Sequence, residues 1–269
     1  MWQMSLEQLT SQLSKSFVAN KYAECLKLLP QIKLLLIEQN LLVPSLTMAA
    51  NPSDLAITRS ILEIGALASI NSEDLNGFSS YITLLKPFYD LTNLPDSPNK
   101  NKLLSLYLLL LLTQGDLALF HIELERLSNF GLSVDELEKD QYFAIPIKFE
   151  KWIIDGDFYK VYELLSSKHS FPCKEFNLFE KELLDSIRLT IATNIESSYT
   201  TLPLENLKLL LFLKNLDDVK SYIDQMGWFV DNGEVHFDKR SSAIEDEIND
   251  EKQILKNALT YAKEMESIV

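Results

Sequence analysis

Four short polar breaks recur along the chain, each separating one amphipathic stretch from the next: Asn20-Lys21-Tyr22, Asn71-Ser72-Glu73-Asp74-Leu75, Gln114-Gly115-Asp116-Leu117 and Asp155-Gly156-Asp157-Phe158. The residues that restart the pattern, Leu75, Leu117 and Phe158, lie 42 and 41 positions apart (117−75 and 158−117). That spacing is the length of a helix-turn-helix unit and predicts stacked helical hairpins. The chemistry of the breaks agrees. Gly115 can take the left-handed conformation that ends a helix, and Asp116 can cap the next one by accepting from its free N–H groups; Asp155-Gly156-Asp157 offers the same pair. Neither helix of a hairpin buries its apolar stripe alone, so each pair must stack on the next, leaving long surfaces for other proteins.

Composition supports a mainly α chain. Seven Gly and nine Pro in 269 residues leave little turn chemistry for a sandwich or barrel. Pro44 and Pro52 mark one loop between repeats, and Pro95 and Pro98 another. The stretch Leu103 to Leu112 is apolar nearly all round and is expected at the centre of the solenoid core. It is about half the length of a membrane span. No cationic region followed by an apolar run and a cleavage site opens the sequence, so neither secretion nor membrane insertion is expected. Two cysteines without CxxC spacing suit a reducing compartment, which points to cytoplasm and nucleus.

The pattern changes near residue 200. Two short helices, Glu205 to Leu213 and Leu216 to Met226, precede Gly227-Trp228-Phe229-Val230-Asp231-Asn232-Gly233-Glu234-Val235-His236-Phe237, in which Asn232-Gly233 signals a hairpin. Helix, helix and two-stranded ribbon is the order of a winged helix. Its second helix carries Asp217, Asp218 and Asp224 against Lys220, and residues 178–269 hold ten Lys and Arg against eighteen Asp and Glu. The whole chain is −14. A phosphate backbone would be repelled, so nucleic acid is excluded as a partner. In the last segment Ile248, Leu255, Ala262 and Val269 recur seven apart with Ala258 and Met265 between them, a coiled-coil-like seam expected to dock on helices of other chains. The resulting division is helical repeats over 1–177, a winged helix over 178–240 and a terminal helix over 241–269.

Groups for catalysis or cofactor binding do not converge. His121, His169 and His236 lack a partner histidine at helical spacing, so no metal pair forms on one face. Cys25 reads as a small core hydrophobe, and Cys173 follows Pro172 in a loop. There is no GxGxxG, Walker, GxSxG or HExxH sequence. No catalytic residue, metal or cofactor is expected, and the chain is not expected to be an enzyme.

Helical repeats running into a winged helix and a final helix resemble the PCI-domain subunits shared by the proteasome lid, the signalosome and a translation initiation factor. The strings Lys27-Leu-Leu-Pro-Gln-Ile-Lys33, Asn40-Leu-Leu-Val-Pro44, Leu62-Glu-Ile-Gly-Ala-Leu-Ala-Ser-Ile70, Ser105-Leu-Tyr-Leu-Leu109, Leu202-Pro-Leu-Glu-Asn-Leu-Lys208 and Tyr261-Ala-Lys-Glu-Met-Glu-Ser-Ile-Val269 are similar to the smallest PCI subunits of the 26S lid of yeast type. The resemblance implies a non-catalytic scaffold of the regulatory particle that supports lid assembly and ubiquitin-dependent degradation. Its expected partners are the other lid PCI subunits and their helical bundle, with base subunits beyond them. It further implies that Trp228, Val235 and Phe237 build or support an edge contact between winged helices, and that Ile248, Leu255, Ala258, Ala262, Met265 and Val269 serve the bundle. The alternative is a ubiquitin-binding terminal helix, since Asp250-Glu251 precedes Ile254-Leu255 and Ala258-Leu259. Ala262 departs from that pattern, in which a serine is usual.

Overall fold

The computed structural model describes residues 2–44, 51–91, 94–129, 134–166, 171–231, 233–237 and 256–261. They form a mainly α protein that divides into two compact units, Met1–Ser186 and Ile187–Val269.

The first unit is built from antiparallel helix pairs: α1 (Trp2–Val18) with α2 (Tyr22–Glu38), α3 (Pro52–Asn71) with α4 (Leu75–Tyr89), α5 (Lys100–Gln114) with α6 (Leu117–Asn129), and, after a single turn α7 (Val134–Leu137), α8 (Ala144–Asp155) with α9 (Phe158–Ser166). One closure ends five of these helices. Asn20, Asn40, Glu73, Gly115 and Gly156 all take positive φ, between 55° and 77°. The next N–H then donates to a carbonyl five residues back: Lys21 to Ser16 at 3.0 Å, Leu41 to Leu36 at 2.9 Å, Asp74 to Ser69 at 2.9 Å, Asp116 to Leu111 at 3.0 Å and Asp157 to Trp152 at 2.8 Å. This bond satisfies a helix-end carbonyl and turns the chain back. Two of the succeeding helices are capped: the Asp116 carboxylate accepts from Leu119 N–H at 3.0 Å, as the sequence predicts, and the Asp74 carboxylate, which the sequence reading does not single out, accepts from Gly77 N–H at 2.9 Å.

Helix α5 packs against α3, α4, α6 and α8, and every residue from Leu103 to Leu112 is buried. Its uniform apolarity is therefore answered by neighbours on all sides. Polar groups at its flanks are paired across the repeats. Glu63 on α3 accepts from the Tyr89 hydroxyl at 3.1 Å and from Ser97 Oγ at 2.9 Å, while Arg59 donates to the Pro95 carbonyl at 2.6 Å. These bonds pin the proline-bearing connection between α4 and α5. Burial, reinforced by the Glu63 charge, raises the Tyr89 hydroxyl far above its ordinary pKa, so it stays a donor. Lys86 of α4 pairs with Glu123 of α6, and Arg126 joins Glu123 at 3.0 Å to Asp90 at 2.6 Å.

After a 3-10 turn at Lys174–Leu178, α10 (Phe179–Ser198) buries a stripe at every fourth residue, namely Phe179, Leu183, Ile187, Ile191 and Ile195. The boundary between the two units falls inside this helix. Among the described residues no helix is long and apolar enough to cross a membrane.

Candidate protein interface

Beyond α10 the second unit follows the order β1 (Thr201–Pro203), α11 (Leu204–Leu210), α12 (Leu216–Met226), β2 (Phe229–Asp231), β3 (Glu234–His236). The two helices and the ribbon are where the sequence predicts them, although the first helix ends at Leu210 rather than Leu213 because Phe212 takes positive φ, and β1 is an addition. Three residues with a proline at the end carry too little alternation to read as a strand. They pair only because β3 supplies a partner: Thr201 faces His236, Leu202 faces Val235 and Pro203 faces Glu234, giving an antiparallel sheet of order β1-β3-β2. On the other side of β3, Phe229 faces His236 and Val230 faces Val235.

Residues directly opposite in such a ladder point to the same side of the sheet. One row therefore runs Leu202, Val235, Val230 across the three strands. Exposure along it is 7%, 0% and 47%. The apolar row is closed at β1 and at the centre and ends unfinished at β2, one of the two edge strands, where nothing among the described residues lies beyond Val230. Phe229, on the opposite side of the sheet, is 65% exposed. An edge strand with unpaired backbone groups and two apolar side chains in solvent is a surface ready to pair with another chain.

The residues expected to make or support an edge contact lie behind this surface. Trp228, Val235 and Phe237 are all buried. The rings of Trp228 and Phe237 meet edge to face with centroids 4.8 Å apart, and Tyr222 of α12 closes on Trp228 at 6.2 Å. Backbone bonds from Trp228 N–H to Ile223 O and from Phe237 N–H to Thr200 O, both 3.1 Å, tie the ribbon to α12 and to the start of β1. These three side chains thus set the position of the ribbon, and Phe229 and Val230 present it. Sequence reasoning passed over the latter two. The signal was available: three consecutive large apolar residues, Trp228-Phe229-Val230, cannot all face inward on an alternating strand.

Helix α12 buries Val219 and Ile223 and exposes Asp217, Asp218, Lys220 and Asp224, so the face a nucleic-acid-binding winged helix would turn to a phosphate backbone is anionic. Of the terminal-seam residues, Ile248, Leu255, Ala262, Met265 and Val269 lie outside the described residues, as do Asp250, Glu251 and Ile254 of the ubiquitin-binding alternative. Ala258 sits in the helical stretch 256–261, exposed beside Leu259 and Tyr261. His121 approaches Glu150 at 3.3 Å, His236 lies in β3, and His169 is outside the described residues. Among the described residues no group of His, Cys, Asp or Glu side chains is arranged to hold a metal. Cys25 is buried, and burial pushes the Cys173 thiol up to about 11, the opposite of what a nucleophile needs.

Comparison with known proteins puts this arrangement in context. Residues 98–247 match the model of the CSN8/PSMD8/EIF3K family. The chain is 40% identical over 98% of its length to the 26S proteasome regulatory subunit RPN12 of Saccharomyces cerevisiae, of which it covers 99%. It is 30% identical over 91% of its length to rpn12 of Schizosaccharomyces pombe, covering 93% of that protein. With the 26S proteasome non-ATPase regulatory subunit 8 homolog A of Arabidopsis thaliana it shares 29% identity, over 98% of this chain and 97% of the relative. Helix pairs, an acidic winged helix and near full-length similarity to these subunits agree: the chain belongs to the CSN8/PSMD8/EIF3K family.

Proposed function

We propose that this chain is a structural, non-catalytic subunit of the lid of the 26S proteasome regulatory particle, supporting lid assembly and through it ubiquitin-dependent protein degradation. The observation that carries the reading is the open edge of the winged-helix sheet, where an apolar row ends half-exposed at Val230 and Phe229 stands in solvent. Such an edge is completed by a neighbouring chain. The names of the relatives, regulatory subunit and non-ATPase regulatory subunit, support the same role and give no support to the ubiquitin-binding alternative. In this reading Phe229 and Val230 meet the neighbouring winged helix, with Trp228, Val235 and Phe237 holding them in place. The seam of Ile248, Leu255, Ala258, Ala262, Met265 and Val269 joins a bundle of terminal helices. Its partners are the other lid PCI subunits and the base subunits beyond them, in cytoplasm and nucleus.

The test is native mass measurement of the affinity-tagged chain from its own cells. Recovery in a particle containing the other lid subunits is expected. Recovery chiefly as a lone monomer, or turnover of a substrate by the purified chain, would overturn the proposal.

A further inference from the structure

In a chain of net charge −14, the first helix pair departs from the average. Over residues 2–38 it holds Lys15, Lys21, Lys27 and Lys33 against Glu7, Glu24 and Glu38. Two of these lysines are occupied: Lys21 pairs with Glu24 at 3.0 Å, and Lys33 lies over the Tyr81 ring at 3.6 Å. Lys15 on α1 and Lys27 on α2 are exposed and have no acidic partner among the described residues. Between them runs an open groove of about 450 Å³, lined also by Gln12, Ser16, Glu24 and Leu28. Residues seven apart on a helix share a face, so Leu34, 62% exposed, lies outside the groove lining two turns beyond Lys27 on Lys27's side of α2. The groove combines Leu28 with two lysines that have no acidic partner among the described residues, while the Glu24 carboxylate that also lines it is engaged by Lys21.

We infer that the α1–α2 groove is a docking site for an acidic amphipathic helix of a partner protein, its apolar residues seated on Leu28 and Leu34 and its carboxylates facing Lys15 and Lys27. Charge selects this occupant. Its carboxylates would gain two cations of the groove that lack an acidic partner among the described residues, whereas a basic helix would be repelled by them and a neutral one would leave them unmatched. The mode is a helix laid in a groove and read by anchors at i, i+3, i+4 and i+7. It rests on none of the winged-helix contacts and stands whether or not the chain is a lid subunit.

The experiment uses the full chain and a fluorescein-labelled synthetic helix of three heptads with leucine at the anchor positions and glutamate flanking them. The matching peptide with lysine in place of glutamate is the control. Anisotropy is expected to report saturable binding of the glutamate peptide. Binding should weaken about tenfold or more in the Lys15→Glu, Lys27→Glu double variant and by several-fold at 0.5 M NaCl. Leu34→Asp, at an exposed position that leaves the core intact, should weaken it likewise. Absence of binding at millimolar protein, equal binding of the lysine peptide, or binding indifferent to both sets of substitutions would overturn the inference. So would self-association of the chain that Lys15→Glu, Lys27→Glu abolishes, because the occupant would then be a second copy.

Discussion

Replacing Phe229 by alanine separates a contact residue from a supporting one. An aromatic side chain offers about 200 Å² of surface. Phe229 leaves 65% of its surface in solvent, which makes about 130 Å² available to a neighbour. At about 25 cal/mol per Å², covering it would contribute roughly 3 kcal/mol, and alanine would retain a minor part. Phe229→Ala should therefore weaken docking on the partner winged helix by about 2 kcal/mol, or roughly 30-fold. The stability of the isolated chain should move by less than about 0.5 kcal/mol, as for other exposed positions. Val235→Ala is the counterpart. That side chain is fully buried, so its truncation should cost about 1 to 3 kcal/mol of folding stability and impair docking only through the fold. The assay pairs urea unfolding of each variant with competition against the wild-type chain for entry into lid particles depleted of it, scored on native gels. If Phe229→Ala competes as well as wild type, the β2 edge is not the contact and the apolar row ends in solvent for another reason.

Other outcomes follow from the same structure. Glu63→Ala leaves the Tyr89 hydroxyl and Ser97 Oγ without their acceptor and Arg59 without its nearby carboxylate, and should cost about 2 to 4 kcal/mol in urea unfolding. At Gly65 an added Cβ would lie 2.8 Å from the buried Tyr81 ring. Gly65→Ala should therefore lower the melting temperature, as about 1 to 3 kcal/mol of overpacking outweighs about 1 kcal/mol of helix propensity. Native alkylation of Cys173 at pH 8 should run about a hundredfold slower than for a thiol of ordinary pKa 9.0, because burial raises it to about 11. The sign follows: stability linked to this thiol is present at neutral pH and is lost as pH rises through about 11, together with a rise in labelling rate. Leu255→Asp should cost several kcal/mol of assembly by placing an unpaired charge in the terminal seam, and normal incorporation of that variant would show that the seam faces solvent.

Much of the architecture was legible because helix ends are local events. Gly115 and Gly156 announce their left-handed closures, and Asp116 its cap, within a few residues of where each acts. The closures at Asn40 and Glu73 were not legible as such. Asparagine enters the left-handed region more readily than other non-glycine residues but does so only at some of its positions, and in Glu73 nothing in the residue type foretells a positive φ. The candidate interface shows the same divide. A winged helix and its acidic second helix could be read from order and charge, and of the residues expected to build or support an edge contact, Trp228, Val235 and Phe237 are buried behind it.

What the sequence by itself determined is the helical hairpins and the ribbon, the repeat length and the sign of the field, since periodicity, caps and charge are properties of neighbours along the chain. Only the tertiary structure decided that Thr201–Pro203 becomes a strand, that Glu63 gathers Tyr89 and Ser97 from 26 and 34 positions away, and that Phe229 faces out while Trp228 and Phe237 face in. The physical reason is that strand pairing and burial depend on groups distant in sequence, and which of three adjacent apolar side chains is exposed is set by what packs against each one.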